Sequence, residues 1–120
     1  MEVVNIGKVP KKPFATPRFT GEEVTIQPLV DDEQRGYTVS VVNFGKGVRN
    51  KYHAHDTDQI LIVTAGRGYV ATEEEKQEVS VGDVVLFPAG EKHWHGATDE
   101  SGFSHIFIRP TSGQTTQLED

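Results

Sequence analysis

Short β-type segments separated by turn residues constrain this chain more than any other feature of its sequence. No stretch of ten or more residues repeats its apolar positions at the period of an amphipathic helix. Segments rich in β-branched and other apolar residues occur instead at 24–30, 37–44, 59–64, 69–72, 78–81, 84–87 and 103–109. Many short strands with frequent turns are typical of β-sandwiches and closed β-barrels. We therefore predict an all-β fold, with a tight turn at 65–68 between two of its strands.

The length of the chain, 120 residues, suits one domain with a single hydrophobic core. A short basic run interrupted by prolines predicts an extended N-terminal arm over 1–18. The polar composition after residue 110 predicts a mobile C-terminal tail over 111–120. The barrel itself is then expected to occupy 19–110.

Charge and composition narrow the classes of function. The formal net charge of −6 argues against a nucleic-acid or anionic-membrane surface, which needs a basic face. Because the chain has no cysteine, disulfides, thiolate metal sites and cysteine nucleophiles are excluded. There is no apolar run long enough for a membrane span and no signal-peptide core, so we expect a cytoplasmic protein that binds a small molecule.

The strand segment 60–63 is apolar on both of its faces. One face must enter the barrel, and the other needs a second sheet or a partner subunit. We therefore expect a homodimer or a higher homo-oligomer, although a sandwich alone would also account for the pattern.

Four of the five histidines form two closely spaced pairs. His53 and His55 are two residues apart, and residues at that spacing on a strand point to the same face. Gln59 follows after a short acidic turn, and His93 follows after further strands and a Pro-Ala-Gly turn. Three imidazoles and one amide oxygen suit manganese, iron, cobalt, nickel or zinc. Taken alone, however, a His-x-His pair is better explained by two half-exposed strand histidines.

The spacing around these residues makes the stronger case. The first segment reads Gly47, five residues, His53-Ala54-His55, three residues, Gln59, six residues, Gly66. The second reads Gly82, five residues, Pro88-Ala89-Gly90, two residues, His93. Both segments resemble the two cupin motifs, and the resemblance implies a single jelly-roll type β-barrel.

A narrower resemblance covers residues 19–109. Gln59 stands where most cupins carry a glutamate, and Ala97 stands where many carry an asparagine. The segments 59–66 and 91–97 are similar to manganese-dependent bacterial hydroxynitrile lyases and to cupins associated with carboxymuconolactone decarboxylases. This similarity implies one divalent metal on His53, His55, Gln59 and His93, with Mn²⁺ first, Fe²⁺ next, and Ni²⁺ or Zn²⁺ as further candidates.

The glutamine has a physical consequence for such a site. A carboxylate would neutralise part of the charge of a divalent ion, whereas an amide leaves that charge at +2 in formal terms. We therefore expect a more Lewis-acidic metal that is harder to oxidise. This favours polarisation of a carbonyl or hydroxyl group over activation of dioxygen.

Four further residues are candidates for the pocket. His95 shares a face with His93 if that segment is extended, and His105 alternates with Phe103 and Phe107. The resemblance places both histidines beside the metal as catalytic bases, against the alternative that they only hydrogen-bond within the barrel. By strand alternation Val42 lines the same cavity. Arg109 holds a carboxylate substrate if its side chain points inward.

Three functions compete at this level. The first is a metal-dependent lyase acting on a small carbonyl, hydroxy-acid or cyanohydrin-like substrate, with a histidine base. The second is a metal-dependent dioxygenase that uses the same ligands. The third is a non-enzymatic cupin that binds a small molecule or a metal.

Overall fold

The computed structural model describes residues 1–120, apart from the side chain of Glu33. Ten strands carry the fold, and the only helical segments among the described residues are two short 3-10 turns, Ile6–Lys8 and Glu33–Arg35. The strands are β1 Lys12–Pro13, β2 Val24–Asp31, β3 Tyr37–Phe44, β4 His53–His55, β5 Gln59–Thr72, β6 Lys76–Ser80, β7 Val84–Phe87, β8 His93–Ala97, β9 Phe103–Pro110 and β10 Thr115–Gln117. The predicted all-β class is confirmed. No helix in the described part of the chain is long and apolar enough to cross a membrane.

The strands form two antiparallel sheets that share β5. The first half of β5 lies between β7 and β9, in a sheet that continues through β3 and β2 to β1. The second half lies between β6 and β8, in a sheet that continues through β4 to β10. Because one strand belongs to both sheets, they curl around a common interior, as in a jelly-roll barrel.

The turn that we predicted at 65–68 is wrong, because β5 runs through this segment without ending. The register of β5 against β9 shifts between Val63 and Ala65, and Gly66 has a φ of +69°. A side chain at Gly66 would collide with the carbonyl oxygen of Gly102. The glycine therefore lets the strand bend and pair with different neighbours on either side of the bend. The segment is a β-bulge within one strand and not a turn between two strands.

The core fills the interior next to this bend. Seven apolar residues pack together there: Val24, Val42, Phe44, Val63, Val79, Ala97 and Phe103. The interior also holds many polar residues, among them all five histidines together with Gln59. Burial of so many polar groups has a free-energy cost that the fold must offset, so this region is the place to look for a site.

Both terminal segments are attached to the barrel, which differs from the mobile tail that we predicted. Strand β10 pairs with β4, with Thr115 opposite His55, and Glu119 forms an ion pair with Arg49 at 2.9 Å. At the other terminus β1 pairs with β2, and Phe14 packs against the core. The polar composition of 111–120 did not reveal a strand because three residues on a sheet edge need few apolar side chains.

The outer face of the first sheet is apolar, as the pattern of β5 indicated. Ile60 and Ile62 are opposite Leu86 and Val84 on β7, and opposite Ile108 and Ile106 on β9. Val84 is 66% exposed and Leu86 is 57% exposed. We propose that this face joins two copies of the chain.

A charge on this face tests the proposal. The wild-type protein should sediment as a dimer, and the double variant Val84→Glu, Leu86→Glu should sediment as a folded monomer, because each carboxylate would be buried without a partner. Val81→Glu is the matched control, since Val81 is 63% exposed but lies in the turn between β6 and β7. A monomeric wild-type protein in analytical ultracentrifugation would contradict the proposal.

Candidate metal centre

Three histidines from two neighbouring strands meet inside the barrel. His53 and His55 project from the same face of β4, and His93 is the residue paired with His53 at the start of β8. One ring nitrogen from each histidine lies within 4.8 Å of the other two. This spacing is short enough for all three nitrogens to reach one ion.

The orientation of each ring is fixed by its Nδ1 atom. Nδ1 of His53 donates to the carbonyl oxygen of Lys51 at 2.7 Å, and Nδ1 of His93 donates to that of Glu91 at 2.8 Å. Nδ1 of His55 lies 2.8 Å from Oγ1 of Thr115. Since a carbonyl oxygen only accepts, Nδ1 carries the proton in His53 and His93, and Nε2 has a free lone pair. Metal-binding histidines are typically supported in this way.

The inner atoms of the cluster have no partner within the protein. Gln59, the first residue of β5, is 6% exposed, and its Oε1 atom is buried without a hydrogen bond among the described residues. The same holds for Nε2 of His55 and Nε2 of His93. Buried acceptors without donors are rare in proteins and need an explanation. A divalent cation fits this donor set, which is the one expected from the sequence.

Burial keeps these imidazoles neutral. Desolvation lowers the pKa of His55 to about 4 and that of His93 to about 3, with the neighbouring His53 as a smaller cause in both. Desolvation also lowers the pKa of His53. Neutral imidazole is the form that binds a metal, so the cluster is in its binding form at neutral pH.

A cavity of about 540 Å³ opens beside the cluster. Its volume is in the usual range for small-molecule sites. Val42 lines this cavity opposite His105, and Arg109 lines it further along β9. Val42 therefore lies where the strand alternation predicted, and the side chain of Arg109, whose direction the sequence left open, lines the cavity. The roles of both residues toward a substrate stay predictions. The rest of the apolar wall comes from Phe14, Phe19, Phe44 and Phe107.

His95 also lines the cavity and is held by one asparagine. The backbone N–H of His95 donates to Oδ1 of Asn50 at 2.8 Å, which sets the orientation of that amide. Nδ2 of Asn50 then donates to Nε2 of His95 at 3.1 Å. Since Nε2 accepts, the proton of the neutral imidazole is on Nδ1, which has no partner among the described residues. Burial lowers the pKa of His95 well below its ordinary value.

His105 is the least satisfied polar residue of the site. It is 0% exposed, and neither ring nitrogen has a hydrogen-bond partner among the described residues. Its ring centroid lies 4.9 Å from that of His95, and Phe44 and Phe103 pack around it. Desolvation lowers its pKa to about 4. The backbone of Ile106 opposes this shift as a smaller cause. The imidazole is therefore neutral, and it lines the cavity without a well-formed hydrogen bond among the described residues.

Among the residues of the site that were not predicted are Asn50, Thr115 and Arg18. Asn50 and Thr115 act by holding histidines, and neither belongs to a motif in the sequence. Arg18 lines the cavity from the N-terminal arm. Its position depends on how 12–19 folds across the barrel mouth, which a local pattern does not encode.

A family profile described as Cupin domain matches residues 40–108, which is more than half of the chain. The chain belongs to the cupin family. The matched region contains all three clustered histidines together with Gln59, His95 and His105. The predicted jelly-roll type barrel is confirmed.

Named relatives extend this comparison. The cupin is 37% identical over 111 residues to an (R)-mandelonitrile lyase of Granulicella tundricola, covering 91% of this chain and 84% of the lyase. A cupin-like protein of Thermotoga maritima superposes with a TM-score of 0.84 at 31% identity, over 100% of this chain and 90% of that one. The polyketide cyclase RemF of Streptomyces resistomycificus superposes with a TM-score of 0.85 at 17% identity, over 98% and 85% of the two chains. This last likeness shows the fold alone.

Removing one ring of the cluster tests metal binding. His93→Ala should reduce the metal content after dialysis to less than about a tenth of the wild-type content, because ligand sets of this kind lose affinity steeply when they are incomplete. His105→Gln is the control, since it lies in the same cavity but outside the cluster. Elemental analysis of untagged protein gives the readout, and an unchanged metal content in His93→Ala would contradict the site.

The pKa of His105 makes the stability of the metal-free protein depend on pH. Its pKa is about 4 in the folded state against an ordinary value of 6.5, so the unfolded state takes up the proton first as the pH falls. The folded protein therefore loses stability as the pH falls below 6.5, the ordinary pKa that His105 has in the unfolded chain. His105 alone should remove about 2 kcal/mol of unfolding free energy between pH 7 and pH 5.

Urea denaturation in EDTA measures this loss. The variant His105→Gln should lose less stability than the wild-type protein over the same pH interval. Equal losses in the two proteins would show that His105 does not titrate as its burial indicates.

Proposed function

We propose that this cupin is a metal-dependent enzyme of the lyase type, acting on a small carbonyl, hydroxy-acid or cyanohydrin-like substrate. The observation that carries the proposal is the fully buried His105, which faces the cavity beside the histidine cluster with both ring nitrogens unpartnered. A structural histidine would be hydrogen-bonded at this depth. The 37% identity to an (R)-mandelonitrile lyase supports the same class of reaction.

The ligands that we propose are His53, His55, His93 and Gln59, around one divalent ion. Imidazole nitrogen together with an amide oxygen suits Mn²⁺, Fe²⁺, Ni²⁺ or Zn²⁺. We rank Mn²⁺ first and Fe²⁺ next because of the resemblance to manganese-dependent hydroxynitrile lyases. When bound, the ion supplies Lewis-acid chemistry that polarises an oxygen atom of the substrate. The protein supplies the fixed rings, through the hydrogen bonds of Nδ1 to Lys51 and Glu91.

His95 and His105 have different roles toward the substrate: His95 donates a hydrogen bond, and His105 accepts a proton. Nδ1 of His95 carries a proton that has no acceptor among the described residues, so it donates to the substrate oxygen and orients it. His105 is neutral, and its unprotonated nitrogen is available as a general base. A low pKa also makes His105 release the proton readily once the bond has broken.

For a cyanohydrin such as mandelonitrile the step balances without another reactant. The unprotonated nitrogen of His105 takes the hydroxyl proton, and the electron pair of the O–H bond forms the C=O bond. The bond between this carbon and the nitrile breaks, and cyanide leaves with its electron pair. His105 returns the proton to cyanide, so the products are an aldehyde and hydrogen cyanide, and the histidine is restored.

The assay is the cleavage of mandelonitrile by Mn²⁺-loaded protein, followed by the absorbance of benzaldehyde. His105→Gln should lower kcat by about a hundredfold or more, the usual contribution of a general base, while metal content stays near wild type. Ser104→Ala is the matched control, because Ser104 precedes His105 on β9 and its Oγ donates to Asn43 at 2.6 Å, outside the cavity.

Two results would contradict the proposal. If His105→Gln keeps its turnover, this histidine is not the base. If turnover needs dioxygen, as a comparison of aerobic and anaerobic assays shows, the enzyme is an oxygenase.

A further inference from the structure

The cavity is lined by cations and by no carboxylate, although the chain as a whole is acidic. Arg18, Lys51 and Arg109 line it, and no aspartate or glutamate does so among the described residues. The formal net charge of the chain is −6. Acidic residues outnumber basic ones in the rest of the chain. The positive charge at the cavity is therefore local and opposite in sign to the net charge of the protein. Such a cavity attracts anions from solution.

Arg109 lies at the centre of this positive region. It follows Phe103, His105 and Phe107 at alternate positions of β9, so its side chain enters the cavity on the same face as theirs. Its Nη1 atom donates to Oγ1 of Thr115 at 3.2 Å. The same Nη1 lies at the distance limit of a hydrogen bond, 3.5 Å, from Nδ1 of His55. Within the described residues no carboxylate lies within ion-pair distance of Arg109. Most of the guanidinium donors therefore remain free.

Arg18 adds a second positive charge at the cavity. Burial lowers the pKa of Arg109, and the charge of Arg18 lowers it further, while the opposing effect of Asp56 is the smallest of the three. The carboxylate of Asp56 is itself engaged, because its Oδ1 accepts from the backbone N–H of Gln114 at 2.7 Å. Two like charges that face one cavity repel each other until an anion lies between them.

The cavity also places these cations close to the candidate metal centre. Nη1 of Arg109 lies 3.5 Å from Nδ1 of His55, so one imidazole ring separates it from the inner ligand atoms. A molecule of a few carbon atoms bridges that distance. The rings of Phe14, Phe19 and Phe107 supply an apolar wall beside the path.

We propose that the substrate is a small organic acid, whose carboxylate is bound by Arg109 together with Arg18 while its reacting oxygen faces the histidines. The inference rests on the proposed function, since it concerns the other end of the same cavity. A guanidinium group binds a planar carboxylate through two parallel hydrogen bonds. The preferred substrates are therefore 2-hydroxy or 2-oxo acids with an apolar side chain, in contrast to the neutral cyanohydrin in the name of the lyase relative.

Pairs of ligands that differ only in charge test this inference. Mandelate, lactate and pyruvate are each compared with the methyl ester by isothermal titration calorimetry, with protein loaded with Mn²⁺ and with protein treated with EDTA. We expect the acid of at least one pair to bind about tenfold more tightly than its ester, as for a charge-assisted hydrogen bond. Arg109→Gln and Arg18→Gln should each weaken binding of the acid and leave binding of the ester nearly unchanged.

The control is Arg67→Gln, because Arg67 is exposed and lies near Glu78 and Glu100, away from the cavity. It should bind acids and esters as the wild-type protein does. The inference is overturned if no acid binds more tightly than its ester. It is also overturned if the preference for the acid over its ester persists in Arg109→Gln and in Arg18→Gln. It is also overturned if inorganic phosphate binds more tightly than every carboxylate.

Failure of the proposed function gives a different result. A protein that takes up no metal or cleaves no substrate, yet prefers acids to esters through Arg109, would disprove the proposed lyase activity. It would leave the inferred carboxylate-binding role of Arg109 intact. A protein that cleaves mandelonitrile but binds acids and esters equally would support the proposed lyase activity. It would disprove the inference that the substrate is an organic acid.

Discussion

The site depends on hydrogen bonds that turn the histidines outward at Nδ1 and inward at Nε2. Two of these bonds go to backbone carbonyls, those of Lys51 and Glu91, two residues before the histidine in each case. Backbone acceptors cannot be lost by substitution. These two ring orientations therefore depend on the backbone conformation just before each histidine. The third bond, to Oγ1 of Thr115, depends on a side chain. The neutral, inward-facing cluster follows from these contacts together with burial between the sheets.

Charge is distributed in an unusual way around this cluster. With Gln59 in place of a carboxylate, the proposed ligand set carries no formal charge, and none of the described cavity residues is acidic. A cation at the cluster would therefore find its compensating charge in the bound molecule and not in the protein. This links two residues that lie fifty positions apart in the sequence: the neutral amide of Gln59 and the positively charged guanidinium of Arg109.

Much of this site could be predicted from the sequence, and the reason is strand geometry. The period of two placed His53 with His55, and His105 with Phe103 and Phe107, without any knowledge of the partner strands. The direction of the Arg109 side chain was left open. What could not be predicted depends on contacts between distant segments. The continuity of β5 depends on Gly102 lying against Gly66, and the role of Thr115 depends on β10 pairing with β4. Arg18 entered the site only because the arm folds back across the barrel mouth.

The pairing of β10 with β4 makes the site depend on the last strand of the fold. Thr115 orients His55 and also accepts a hydrogen bond from Arg109. Detachment of β10 would therefore release one proposed metal ligand and the cavity arginine at the same time. Loss of an outer hydrogen bond of this kind weakens metal affinity by about ten- to a hundredfold in comparable sites. Fraying of three residues at the edge of the sheet would thus loosen both ends of the cavity together.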